Sequence, residues 1–516
     1  MDKYIKYIKL AIPFAVGIIV YLIGYFEIDF AEKAVINGAP QLTHGIWIYL
    51  SIFLGVIIGL ILEPIPPAFV GLIGVAIAVF FKVGPAKSGD PDIIIKSNTA
   101  IDWGLSGFAN NTVWLIFAAF AIGLGYQQSG LGKRLALALV QKLGKSTLGL
   151  GYAIALTDGI LAPFIPSNTA RSGGVIYPIV SSIPPMFDSY PDKNPRKIGG
   201  YIMWVSLTIT CVTSSMFLTG LAPNLLAVST AHEAGITQIS WLSWFIAFLP
   251  AGILLFALTP LLCYIIYPPE AKGSPKVVTW AKEEYTKLGS ITIKEKWMIV
   301  ISVFALVFWI LSSVEAIKGS IVEVNPTTTA VFVIIFMLAA KIISWNDFLS
   351  NKPAWNVLTW FATLVALAGG LRNVGFLNWL SFILKGGLEN LSPVAAILGL
   401  VLAFYLLHYF FASTTAHVSA LLLIFIAAAS AIEGVNVYLV TVLMMLSLGI
   451  MGIITPYGTG PSPVYFGSGY IKSADFWRLG TIFGLIFLVV FLIIEVPWVL
   501  YVVGDIITPS AASVAP

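Results

Sequence analysis

Two short polar clusters interrupt an otherwise apolar chain: Pro166-Ser167-Asn168-Thr169-Ala170-Arg171 and Ala412-Ser413-Thr414-Thr415-Ala416-His417. Ser413 follows Ser167 by 246 residues, and each cluster opens a new helical pattern. Hydroxyls from Ser167, Thr169, Ser413, Thr414 and Thr415, with the Asn168 amide, present donors suited to the oxygens of an anion. The start of a helix adds unpaired backbone N–H groups and the positive end of a peptide dipole. Two such tips facing each other suit a small molecule with a carboxylate at each end. The plainer reading is that the tip serines and threonines only cap helices.

Each tip is followed, four positions after its serine, by a titratable side chain. Arg171 is read as fixed positive charge for the ligand, with a structural ion pair to Asp158 as the alternative. His417 is either a ligand group or a satisfied core residue. Glu63 and Glu495 are expected to be interfacial or helix-paired. His44, His232 and His408 form no ligand spacing with one another, so no metal is expected. Cys211 and Cys263 stand in apolar runs as packing residues.

Unwound polar tips survive at membrane depth only where protein or a wet cavity surrounds them, and the composition requires that setting. The chain has 516 residues, 58% hydrophobic and 10% charged, with a mean hydropathy of +0.94. That is too few polar residues to clothe a soluble globule. A net charge of +4 is too small and too dispersed for nucleic acid to be a partner. The expected fold is an all-α polytopic membrane protein embedded in a lipid bilayer. Apolar runs predict about eleven spans, beginning near Tyr7, Ile46, Ala68, Thr112, Lys197, Trp241, Trp297, Thr327, Asn356, Val437 and Leu479. With the N-terminus cytoplasmic, most Lys and Arg residues fall on the cytoplasmic side, and the odd span number puts the C-terminus outside.

Two runs do not fit as spans. Residues 148–183 are split by Pro163, Pro166 and the first tip, and residues 392–432 by the second, giving two re-entrant hairpins of opposite entry. After each comes a helix with a Gly/Pro break: Gly220, Pro223 and Asn224 in the first half, and Thr455, Pro456, Gly458, Thr459, Gly460 and Pro461 in the second. Matched interruptions at corresponding points mark a binding site between inverted repeats. The chain divides into scaffold helices (1–146), a first hairpin, broken helix and following span (147–267), a linker (268–296), second scaffold helices (297–391) and a second hairpin, broken helix and last span (392–516). An intramembrane hydrolase is disfavoured because Phe466-Gly467-Ser468-Gly469 lacks the first glycine of a nucleophile elbow. Nothing resembles the carbonyl ring of a channel filter.

Residues 161–174 (Leu-Ala-Pro-Phe-Ile-Pro-Ser-Asn-Thr-Ala-Arg-Ser-Gly-Gly), residues 412–418 around Ser413-Thr414-Thr415, and residues 455–461 with Gly467-Ser468-Gly469-Tyr470 resemble the divalent anion/sodium symporter family. The resemblance covers nearly the whole chain and lies closest to its citrate/succinate antiporter and 2-oxoglutarate/malate translocator branch. It implies a homodimeric, elevator-type secondary transporter for dicarboxylate anions such as malate, succinate and 2-oxoglutarate, in the inner membrane of a bacterium. Sodium-coupled members carry Asn where this chain has Thr414. No cofactor is therefore expected, and sodium-independent exchange is favoured over Na⁺-coupled symport. On that reading an unneutralised Arg171 would hold the empty carrier in place and make exchange obligatory.

Overall fold

A computed structural model describes residues 2–31, 44–85, 95–273, 275–314, 324–388 and 391–508. Lys33, Lys87, Lys318 and the expected external C-terminus (509–516) lie outside the described residues. Every described element is helical.

Helices occupy each stretch where a span was expected, but they are less uniform than the hydropathy suggests. Six are long and apolar enough to cross a bilayer, or seven if the pair Ser97–Ala109 and Asn111–Ser129, bent by 42°, is one span. The shortfall from eleven has separate causes. Pro67–Phe80 and Pro326–Ala339 have only 14 residues each, about 21 Å of rise against a hydrocarbon core of about 30 Å. Ile293–Leu311 opens on Lys294, Glu295 and Lys296. The expected span at Trp241 is a short helix, Trp241–Ala247, followed after Phe248 by the crossing helix Leu249–Ile266.

The interior is built around the helix Gly199–Met216, in which 17 of 18 residues are buried. It carries six buried Thr and Ser residues between Ser206 and Ser215, an unusual choice for so deep a position. Some of these hydroxyls are satisfied locally, as Ser206 Oγ donating to the Ile202 carbonyl at 2.8 Å. Others reach across to the second half: Ser215 Oγ accepts from the backbone N–H of both Gly449 and Ile450, at 3.1 Å each. The two broken helices therefore touch backbone to side chain at their centres.

Helix pairs stand at both places where hairpins were expected, and the first arm of the second, counted through Phe410, is itself long and apolar enough to cross a bilayer. The first runs down Thr147–Leu161, unwinds through 162–168, and returns as a wide π-helical turn, Thr169–Ile176, with Tyr177–Val180. The second is Pro393–Leu407 and Thr414–Ser430. Their breaks are also present: Gly199–Met216 resumes as Ala222–Glu233, and Val437–Leu446 resumes, through Ile450–Ile453, as Ser462–Gly467. Ala222–Glu233 packs against Thr414–Ser430, so each half closes on the other.

The linker contains an unexpected amphipathic helix, Pro275–Lys287, with Val277 and Ala281 buried. It lies on Leu131–Leu143. There Arg134 pairs with Glu295 at 2.5 Å and donates to the carbonyls of Leu288, Gly289 and Ser290. Glu495 departs from expectation too: it is wholly buried.

The contact between the breaks tolerates no side chain at Gly449, where a Cβ would stand 2.5 Å from Ser215 N and 2.6 Å from Cys211 O. Both obstacles are main-chain atoms and cannot swing aside. Gly449→Ala is expected to cost about 1–3 kcal/mol, read as a lower melting midpoint in detergent. Gly399→Ala, where a Cβ meets nothing within 4 Å, should melt with the parent.

Candidate functional site

The first tip unwinds because Pro163 and Pro166 lack the N–H that would continue the helix. The carbonyls so released are taken up by the first break. Pro163 O accepts from Thr219 Oγ1 at 2.6 Å, and Pro166 O from Ala222 N at 2.9 Å. Ser167 Oγ accepts from Ala170 N at 3.2 Å, and Ser413 Oγ accepts from Ala416 N at 3.1 Å. Both serines are thus helix caps, and both keep part of their surface exposed.

Arg171 is the anchor of the first tip. It has no exposed surface, and all five N–H groups are used. Nε faces both Asp158 oxygens at 3.2 Å. One terminal nitrogen donates to the carbonyls of Ile165 (2.8 Å) and Gly220 (2.7 Å). The other meets the hydroxyls of Thr210, Thr213 and Ser214 at 3.2 Å. Thr213 also donates to Asp158. The expectation of a free cation beside the ligand is corrected: Asp158 neutralises the charge and the guanidinium is spent on holding backbone. The obligatory-exchange idea built on an unneutralised Arg171 loses its premise with it.

His417 is likewise turned away. Its ring sits fully buried between Phe404, Phe411 and His408, with centroid distances of 4.4, 5.1 and 5.1 Å. Neither ring nitrogen has a hydrogen-bond partner among the described residues. Four positions beyond Ser413, the side chain lies one turn down the helix and points into the first arm of its own hairpin.

The two tips meet the same short loop. Asn168 Nδ2 donates to Thr459 Oγ1 at 2.7 Å, and a Cβ at Gly460 would stand only 1.8 Å from Thr169 Oγ1. From the other hairpin, Thr414 Oγ1 donates to the Gly458 carbonyl at 3.3 Å, and His408 Nε2 lies 2.8 Å from that same oxygen. Thr169, Gly460 and Ala412 are exposed, Ser167, Ser413 and Pro456 half-buried. Asn168, Thr414, Thr415, Gly458, Thr459 and Pro461 form the buried floor, together with Thr455, whose hydroxyl has no partner. Gly220, Pro223 and Asn224 are buried behind the first tip. Asn224 Nδ2 donates to the carbonyls of Ser214 and Phe217, while its Oδ1 is buried without a partner among the described residues.

Sequence reasoning missed three participants. His408 ends the first arm of the second hairpin and touches the break only once the hairpin has closed. Tyr465 shares a hydrogen bond with Ser172 Oγ at 2.8 Å, joining the first hairpin to the second broken helix. The Thr210, Thr213 and Ser214 hydroxyls hold Arg171. The excess of Ser and Thr in an otherwise apolar helix was the available signal for these. Ser468, weighed as a nucleophile, donates to the carbonyl of Tyr465 in its own helix at 2.6 Å.

The model of the sodium:sulfate symporter transmembrane region matches residues 34–504. The chain belongs to this family. That is the divalent anion/sodium symporter family indicated by the tip and break motifs, and it makes the protein a membrane transporter. Among curated relatives, the L-tartrate/succinate antiporter of Escherichia coli strain K12 is 44% identical over 462 residues, 89% of this chain and 93% of that one. The L-tartrate/succinate antiporter of Shigella sonnei strain Ss046 is 44% identical over 470 residues, 90% and 95% of the two chains. In fold the chain is similar to the YdaH transporter of Alcanivorax borkumensis, with a TM-score of 0.58 at 12% identity over 86% of this chain and all of that one. It is also similar to Neisseria gonorrhoeae MtrF, with a TM-score of 0.51 at 11% identity over 89% and 96%.

Removing one member of a buried ion pair strands the other charge, at about 3–5 kcal/mol. Asp158→Asn is therefore expected to lower the fraction of monodisperse protein surviving a heat step in detergent, with Asp158→Asn/Arg171→Gln recovering part of the loss. At the loop, Gly460→Ala is expected to cut transport about tenfold or more, since a methyl group there overlaps Thr169 and overpacking of this kind displaces a tip. Adding Thr169→Ala should restore part of the rate, measured in reconstituted vesicles.

Proposed function

We propose that this protein exchanges dicarboxylates of the tartrate and succinate type across a bacterial inner membrane, without sodium. Kinship with L-tartrate/succinate antiporters over nine-tenths of the chain supports the substrate class. The observation that carries the mechanism is the convergence of both tips on residues 458–460. Hydroxyls and helix starts from opposite hairpins there flank one exposed place, where a dianion is received by dipoles and hydroxyl donors instead of a bare arginine.

Malate adds one hydroxyl to succinate and 2-oxoglutarate one carbonyl carbon, and both keep the two terminal carboxylates that the helix starts would receive. In this reading the hairpins and broken helices travel together as an elevator, bound to one another by the Arg171 network and the Ser215 contact, and two copies form a homodimer. The N-terminus and linker lie in the cytoplasm. Sodium independence draws support from the Gly458 carbonyl, which is already faced by His408 and Thr414. The buried, unpartnered oxygens of Asn224 and Thr455 favour the second reading, in which a cation is co-transported.

Counterflow in proteoliposomes separates the two. Labelled succinate is expected to enter vesicles loaded with tartrate or succinate at equal rates with sodium and with choline, and not to enter vesicles free of internal anion. Uptake that requires a sodium gradient and proceeds into empty vesicles would replace exchange by symport.

A further inference from the structure

A cleft opens where the first hairpin, the scaffold and the linker meet. It encloses about 300 Å³ and is bounded by Gln127, Lys133, Gly174, Ser182, Trp280 and Glu284 among others. That is the lower end of the range for small-molecule sites, ~300–1,000 Å³. Three separate units build it. Gln127 and Lys133 come from Asn111–Ser129 and Leu131–Leu143, Gly174 and Ser182 from the returning arm of the hairpin, and Trp280 and Glu284 from one face of the linker helix.

The cleft lies on the seam that leads to the first tip. Along Asn111–Ser129, Gly123 faces Ile165 and the Tyr126 ring stacks on Phe164 at 5.8 Å, both immediately before Ser167. One turn further on, Gln127 faces Gly174, with 3.7 Å between its Nε2 and a Cβ placed there. The cleft thus stands at the linker end of a packed seam whose other end is the tip.

The charges in the cleft are arranged to be exchanged. Lys133 Nζ stands 3.8 Å from Glu284 Oε2, while Lys287 Nζ holds the other oxygen of the same carboxylate at 2.6 Å. Glu284 is thus already neutralised by Lys287, and half of the Lys133 side chain remains exposed. An exposed pair at such a length contributes little, so an incoming carboxylate can replace Glu284 at Lys133 without stranding either partner. The linker helix is tied at both ends. Upstream, the Lys272 carbonyl accepts from Thr147 N at 2.9 Å and the Ala271 carbonyl from Thr147 Oγ1 at 2.6 Å. Downstream, Arg134 grips residues 288–290.

We propose that this cleft is an entry site for dicarboxylates on the linker face, with Lys133 as the capturing cation and Glu284 as the carboxylate that the substrate displaces. The proposal rests on the dicarboxylate reading above. It is tested on the full-length protein. Cys211 and Cys263 are buried, so Ser182→Cys introduces an accessible thiol whose alkylation by a membrane-impermeant maleimide reports the cleft. Saturating succinate is expected to slow that alkylation about threefold or more with Lys133 present and to have no effect in Lys133→Gln, with Lys133→Arg restoring protection. In proteoliposomes, Lys133→Gln should raise KM for succinate on the linker face about two- to fivefold, leaving kcat and the opposite-face KM unchanged, while Glu284→Gln leaves KM equal or lower. Equal protection in Lys133→Gln, or none at all in a protein that exchanges succinate normally, would overturn the entry site alone. A parent protein that exchanges no dicarboxylate would overturn the functional reading and this site with it.

Discussion

A guanidinium that never meets solvent holds the first half of this transporter together. Arg171 spends its five N–H groups on a carboxylate, two backbone carbonyls and three hydroxyls, drawn from the hairpin arm, the tip and the broken helix behind it. In hydrocarbon an unwound segment has no water to satisfy its carbonyls, so a tip can exist only if protein donors replace the solvent. Arg171 supplies two of these donors, and Thr219 and Ala222 supply others. The second tip lacks an arginine and is held by a neutral device, His408 and Thr414 on a single carbonyl. The same problem of free backbone at membrane depth is thus solved once with a neutralised charge and once without charge.

What the sequence disclosed, and what it hid, follows from the range of the interactions involved. Hairpins and breaks were legible because proline, glycine and clustered hydroxyls act on the chain within a few residues. Their duplication at a spacing near 245 residues then supplied the expectation of an inverted repeat. The family likewise showed in short motifs. The direction of a side chain did not show. Arg171 and His417 both follow a tip serine by four positions, yet one is locked inward by Asp158 and the other is enclosed by Phe404, Phe411 and His408. The Asp158 pairing was visible as an alternative; choosing it required the distances. Glu495 shows the same limit, since a lone carboxylate near a helix end reads as interfacial until burial is known.

Span counting failed for a related reason. A hydropathy window averages over about twenty residues, whereas this fold uses helices of 14 residues, bent pairs and wide π turns. Such irregular pieces persist where neighbouring protein covers them, as Gly199–Met216 illustrates with its buried Ser and Thr residues. Length and composition describe a helix surrounded by lipid; they say little about one surrounded by other helices.

The two halves look like copies, but they do not share their duties evenly. Both tips lean on residues 458–460, while at the corresponding break the Gly220 carbonyl is taken by Arg171. A single three-residue stretch in the later half therefore sets the separation of two elements contributed by different halves. Divergence of cargo preference within such a scaffold has a narrow place to act: a change there moves both jaws at once, and its mirror position in the earlier half offers no equivalent grip.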